Sequence, residues 1–157
     1  MNIQIAPKRM IKDAYVIWPW RDNDDVDLAF DLREGYLGLK PESSKAIYLY
    51  NFLGMCRPEE IQDIVENLTH ILKPGGKLFI IEQDFDYVAR NYVGGDLPLN
   101  EFNKDFNRET FLSQEECTKI LDNNGFLSSE QQIWKDHKMF NAEHYQFILS
   151  GTKKKKK

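Results

Sequence analysis

Residues 46–82 read AIYLYNFLGMCRPEEIQDIVENLTHILKPGGKLFIIE, and the fold is decided there. Ala46–Tyr50 is an unbroken apolar run of strand length, as expected of a strand covered on both faces. From Pro58 the period changes. Ile61, Ile64, Val65, Leu68, Ile71 and Leu72 recur at i, i+3, i+4, i+7, i+10 and i+11, which is one face of a helix. Pro58 suits a first turn, Glu59 and Glu60 favour the positive end of the helix dipole, and Lys73-Pro74-Gly75-Gly76 closes the helix. Lys77–Glu82 is a second apolar strand. Two buried strands joined by one helix make a parallel crossover unit.

Upstream, Asn2–Ile5 alternates and stops at Ala6-Pro7, which predicts a first strand. Ala14–Trp18, between Asp13 and Pro19, predicts a second, and Val26–Phe30 a third, ending at Asp31-Leu32. Residues 33–44 contain Gly35, Gly38 and Pro41 and read as loop. Downstream, residues 84–110 combine Gly94-Gly95, Pro98 and the aromatics Phe85, Tyr87, Tyr92, Phe102 and Phe106 without regular period, as an irregular insertion of the lid type would. Ser113 and Glu116 form a capping box, Leu112 can staple to Cys117, and Asn124-Gly125 ends that helix. Strands are expected at about Gln131–Asp136 and His144–Ser150, the latter with Tyr145, Phe147 and Leu149 alternating. No repeat or linker divides the string, so residues 1–152 read as one domain.

The 157 residues carry a net charge of −4, but five of the 21 basic residues are the terminal run Lys153–Lys157. The body alone has 16 basic against 25 acidic residues, a balance of −9. Phosphate binding needs clustered Lys and Arg, so nucleic acid is not an expected partner. The Lys run reads as a solvated, disordered tail. Cys56 and Cys117 stand in no CxxC or Cys/His spacing, and His70, His137 and His144 are dispersed, so no zinc or other metal site is expected. Reduced cysteines and the lack of a run of ~20 apolar residues predict a soluble, cytoplasmic protein with no membrane segment.

The segment Ile71–Ile80, ILKPGGKLFI, resembles the "LKPGG" helix-to-strand turn that enters the fifth strand of class I S-adenosylmethionine-dependent methyltransferases. Val26–Arg33 (VDLAFDLR) is similar to that family's third strand with its terminal Asp-Leu, and Ile47-Tyr48 to the start of its fourth. Phe85-Asp86-Tyr87 through Asn107-Arg108-Glu109, and then Thr110–Phe126, look like the segment after strand five and the last helix of the branch typified by "LNLGCGPKR". With Pro7-Lys8-Arg9 near the start, the likeness runs through nearly the whole chain. It implies an α/β fold: a doubly wound, mostly parallel, seven-stranded Rossmann-like sheet with an antiparallel C-terminal strand pair. Ligands in such sheets sit at the carboxyl ends of the strands, where strand order reverses.

The resemblance also implies where S-adenosylmethionine would bind. The positions matching the glycine-rich loop after strand one are Gln4 and Ala6, followed by Pro7 and Lys8; a G-x-G pattern is absent. The position matching the acid that binds the ribose hydroxyls is Trp18, which accepts no hydrogen bond. Asp31 and Leu32 match the residues near the adenine. After strand four the branch often reads H-x-L-E-H, where this chain has Asn51-Phe52-Leu53-Gly54-Met55. Near the acceptor the expected side chains are Asp84, Asp86, Tyr87 and Asn51, a carboxylate to take a proton and a Tyr to orient the substrate. Each also has a plain reading as a loop cap or core-edge aromatic. Two functions follow: methyl transfer to a small polar or glycan-linked acceptor, or a catalytically inactive scaffold of the same fold with a protein partner. A nucleotide hydrolase or dehydrogenase lacks its G-x-x-x-x-G-K-[ST] or G-x-G-x-x-G loop.

Overall fold

Short apolar runs bounded by Pro, Gly or Asp become the strands. The computed structural model places β1 at Asn2–Ile5, β2 at Ala14–Trp18, β3 at Leu28–Ala29, β4 at Ser44–Tyr50, β5 at Leu72–Gln83, β6 at Phe126–Gln131 and β7 at Gln146–Lys153. Among the described residues the α-helices are α1 at Pro58–Ile71, α2 at Phe85–Val93 and α3 at Gln114–Asn123. The structure describes residues 1–21, 23–100, 108–131 and 146–155, and at 128–131 the backbone only.

The sheet order is β3-β2-β1-β4-β5-β7-β6. β1 pairs in parallel with both β2 and β4, β4 with β5 and β2 with β3, whereas β7 runs antiparallel to β5 and β6. The expected doubly wound Rossmann-like architecture is therefore the one found. Strand order grows one way from β1 to β3 and the other way from β4 onward, so the crevice lies where β1 adjoins β4.

Side-chain alternation divides the core into two layers. Ile3, Ile5, Ile47, Leu49, Leu78, Ile80 and Leu149 face one side and pack against Ile61, Ile64, Val65, Leu68 and Ile71 of α1 and against Cys117 and Leu121 of α3. On the other side Phe79, Ile81 and Ile148 form a smaller cluster with Tyr48, Tyr50, Met10 and Ile11. There Tyr48 stacks on Phe79 with ring centroids 4.6 Å apart. Met10 and Ile11 come from the short β1–β2 connection, so that connection is part of the cover of the second face.

Several boundaries differ from expectation. β3 pairs over two residues only, because the Asp27 carboxylate takes the Val16 N–H (2.8 Å) that a longer ladder would use. The LKPGG stretch is not a free turn. Leu72 already pairs with Ser44, and a register shift before Ala46 absorbs the extra residues. Gly75 sits at φ +78°, and a Cβ on Gly76 would lie 2.9 Å from the Lys73 carbonyl oxygen, so both positions need glycine. The irregular insertion expected from residue 84 begins instead with α2, whose side-chain cap is Asp84. Val88 is its one buried residue, too little apolar period to read from sequence. β6 starts directly after Gly125 rather than at Gln131; the rest of the expected strand, 132–136, lies outside the described residues. Lys153, expected in the tail, ends β7 instead, and its ammonium donates to the carbonyls of Thr69 (2.7 Å) and Leu72 (2.6 Å) at the end of α1.

The capping box at Ser113 forms as its residues dictate. Ser113 Oγ accepts from Glu116 N at 3.2 Å, and Glu116 accepts from Ser113 N at 3.3 Å. Ser113→Ala should lower the unfolding free energy by about 1 kcal/mol, read from urea denaturation. No change would show that α3 is held by packing alone.

Candidate functional site

The carboxyl ends of β1, β2 and β4 carry the places expected for the cofactor. Ala6 and Phe52 are fully buried and Trp18 is 7% exposed. The ring of Trp18, ending β2, meets that of Phe52, just after β4, edge to face at 6.0 Å. Because β1 lies between β2 and β4, the two rings close over the end of β1. Trp20 adds a second edge contact to Trp18 at 6.3 Å.

Gln4, at the first glycine-matching position, is also fully buried. Its Oε1 accepts from the backbone N–H groups of Met10 and Ile11, each at 3.0 Å, and its Nε2 donates to the Lys8 carbonyl. The whole β1–β2 connection is wound around this one amide. The Lys8 side chain points to solvent, the Pro7 carbonyl accepts from Asn23 Nδ2 (2.9 Å), and Arg9 pairs with Asp27 at 2.9 Å. These residues build the loop rather than open it.

Asp31 is committed as well. Arg33 grips both carboxylate oxygens, with Nε at 2.9 and 3.1 Å and Nη2 at 2.6 Å, and its backbone N–H adds a bond to Oδ1 at 3.0 Å. The Arg33 hydrogen bonds hold the Asp31 carboxyl below the usual range. Leu32 turns into the core at 3% exposure. A G-x-G loop leaves backbone bare toward its ligand. Here side chains fill that space, Trp18 offers no acceptor and Asp31 is already paired, so this set of residues does not fit S-adenosylmethionine.

At the ends of β4 and β5 the structure assembles a group that the residue pattern did not single out. Glu82 is 1% exposed; its Oε1 accepts from Gly54 N (3.0 Å) and its Oε2 binds Arg108 Nη1 (2.6 Å). Burial pushes the Glu82 carboxyl up from its ordinary value, and Arg108 opposes that push. A Cβ on Gly54 would stand 2.4 Å from Arg108 Nη1, so glycine here makes room for the guanidinium. Glu109 N and Thr110 N both donate to the Gly54 carbonyl, at 3.0 and 3.3 Å, and Thr110 Oγ1 to that of Cys56. Residues 108–112 thus strap down the turn after β4. The cavity left between Glu82, Arg108, Thr110 and Phe111 holds about 10 Å³, no more than a water. A buried charge closing the apolar run KLFIIE was the one sequence signal for this group, since such a charge needs a cation.

The four side chains expected near an acceptor do not converge. Asn51 sits in the left-handed region at φ +50° and donates its N–H to the Ile81 carbonyl, while its Oδ1 is buried without a partner. Asp84 caps α2 by accepting from Tyr87 N at 3.4 Å, and burial raises its carboxyl from the usual value. Asp84, Asp86 and Tyr87 instead line a polar groove of about 440 Å³ with Arg90 and the start of α3, and Asn51 is not among its walls. Cys56 and Cys117 are free and buried, and desolvation drives the Cys56 thiol up to about 12, so it is inert. Among the described residues no metal-capable cluster occurs, and no helix is long and apolar enough to cross a membrane.

Strand order, the antiparallel seventh strand and the helix packing define the fold of S-adenosylmethionine-dependent methyltransferases. Solved structures agree. A possible histamine N-methyltransferase from Thermotoga maritima superposes with a TM-score of 0.59 at 20% identity, over 88% of this chain and 72% of that one. Human N-acetylserotonin methyltransferase in complex with S-adenosylmethionine gives 0.57 at 14%, over 90% and 41%. The S-adenosylmethionine-dependent methyltransferase SibL gives 0.56 at 18%, over 84% and 37%. The chain thus spans about two fifths of the length of the last two. No family model and no curated protein matches the sequence.

Proposed function

We propose that this chain keeps the methyltransferase fold as a catalytically inactive scaffold or binding module, its own side chains standing where the cofactor would be. The observation that carries this reading is the contact of Trp18 with Phe52 across the end of β1, above a loop wound on Gln4. Retention of a fold does not carry its chemistry along; function lives in the site. Here neither the ribose acid nor the bare glycine backbone is present.

The second reading is methyl transfer to a small polar or glycan-linked acceptor, and the likeness to methyltransferases, one holding S-adenosylmethionine, favours it. It requires Trp18 to swing away from Phe52. Titration calorimetry with S-adenosylmethionine and S-adenosylhomocysteine separates the two. The scaffold reading expects no heat up to millimolar ligand and an unmoved melting curve. Micromolar binding, with the roughly 2.7 kcal/mol of stabilisation that a ligand confers at 100 times its dissociation constant, would overturn it.

A further inference from the structure

At the end of the sheet away from Trp18 and Phe52, strand pairing brings together lysines from three separate stretches of sequence. Where β4 and β5 begin, Ala46 pairs with Lys77, and Lys77 pairs with Thr152 of β7. A Cβ on Gly76 would stand 2.9 Å from the Lys73 carbonyl oxygen and 3.0 Å from that of Lys45, so these two backbones meet at that glycine. The chain leaving β7 lies over the same turn. Lys155 Cε would be 3.4 Å from a Cβ on Gly75, and Lys153 donates to the carbonyls of Thr69 and Leu72. Lys45, Lys73, Lys77, Lys154 and Lys155 are exposed, and none has an ion-pair partner among the described residues.

A run of lysines alone would be a solvated segment. Two further observations turn this end into a surface. The first is charge segregation in a body that is otherwise acidic: the stretches 43–49, 67–81 and 146–155, which build the pole, contain no Asp or Glu. Glu42 and Asp13 stand at its margins, ahead of β4 and β2. Asp84 and Asp86 lie past the far end of β5, roughly 23 Å from Lys77 by strand rise. That is well beyond the ~8 Å over which exposed charges act at physiological salt. The second observation is Leu127, 51% exposed. Leu127 and Lys77 both pair with Thr152, so they share a sheet face two strand spacings, about 10 Å, apart.

We propose that this pole docks on an anionic phospholipid bilayer, its ammonium groups among the acidic headgroups and Leu127 entering between them. Charge complementarity sets the class of partner, since a cluster of about four to eight lysines is the electrostatic footprint of acidic lipid. The composition of the pole favours lipid over nucleic acid. Its segments bring no Arg to fork onto a phosphate and no exposed Phe, Tyr or Trp to stack on a base, whereas an exposed leucine beside lysines suits the headgroup boundary. The chain would lie on the membrane and not cross it. The inference goes beyond the scaffold reading and does not depend on it, because cofactor titration and vesicle binding fail separately.

The test is flotation of the full chain with vesicles of phosphatidylcholine and phosphatidylserine, against phosphatidylcholine alone. Binding is expected only where phosphatidylserine is present, and it should fall as salt is raised. Lys45→Gln, Lys73→Gln and Lys77→Gln combined, with the run from Lys153 intact, should weaken partition roughly 100-fold, about fivefold for each ammonium lost. Leu127→Ser should weaken it at unchanged charge and leave the melting curve in place. Lys8→Gln, Arg90→Gln and Lys119→Gln combined removes as much charge elsewhere and should leave binding as it was. Wild-type flotation of the first triple variant would show that the lysine run acts alone and overturn the surface, as would equal loss in both triple variants. Tighter binding of oligouridylate than of vesicles at the same salt would reassign the pole to nucleic acid, and absence of flotation would end the proposal.

Discussion

Arg108→Leu is expected to destabilise the fold by about 3–5 kcal/mol at neutral pH, the cost of stranding a buried charge without its partner. The partner is Glu82, 1% exposed, whose carboxylate otherwise meets only uncharged donors, the backbone N–H groups of Gly54 and Gln83, among the described residues. The same variant should respond to pH in a defined direction. Burial already raises the Glu82 carboxyl, and Arg108 counteracts this; without Arg108 the value rises further. A carboxyl raised on folding favours the folded state fully below the unfolded value of about 4.3, and that contribution is lost as pH climbs through the folded value. The deficit of Arg108→Leu should therefore shrink on acidification and grow toward neutrality. Denaturant unfolding from pH 4 to 8 measures it, and Glu82→Gln placed on the same background should recover part of the loss at pH 7. A deficit independent of pH would show that Arg108 contributes packing rather than charge.

Gln4→Leu should cost about 2–4 kcal/mol, since it removes the acceptor of two backbone N–H groups and a donor to the Lys8 carbonyl in a loop closed over apolar side chains. Chemical denaturation would report the stability. Amide hydrogen exchange would report the site, with Met10 and Ile11 losing protection first. An effect below about 0.5 kcal/mol, the range of ordinary surface substitutions, would mean that the connection holds itself without the amide. The prediction bears on restoring the glycine pattern. A Gln4→Gly change unhooks the β1–β2 connection before it creates room for any ligand.

The fold was legible because it is written in local periods. The α1 stripe, the capping box at Ser113 and the apolar runs 14–18 and 46–50 each declare an element within a few residues, and burial on both faces leaves no polar alternation to confuse them. The misread places are those where local pattern is weak. α2 buries little besides Val88, and β6 begins at Phe126, directly after the glycine that ends α3 and five residues before the expected start at Gln131. The site was legible only as a departure. That Gln4, Ala6 and Trp18 stand where Gly and an acid are expected is visible in the residues; what they do instead is not.

The amino-acid sequence by itself determined the strands β1, β2, β4 and β5, the helices α1 and α3, the acidic body and the lack of metal-ligand spacing, because those depend on neighbours along the chain. The tertiary structure alone decided that Trp18 and Phe52 close over β1, that Glu82 finds Arg108 twenty-six residues away, and that the Asn51 Oδ1 is buried without a partner. Each of these is a meeting between distant segments brought together by strand order, and the energy of a buried charge or an orphaned amide is defined only once its surroundings exist.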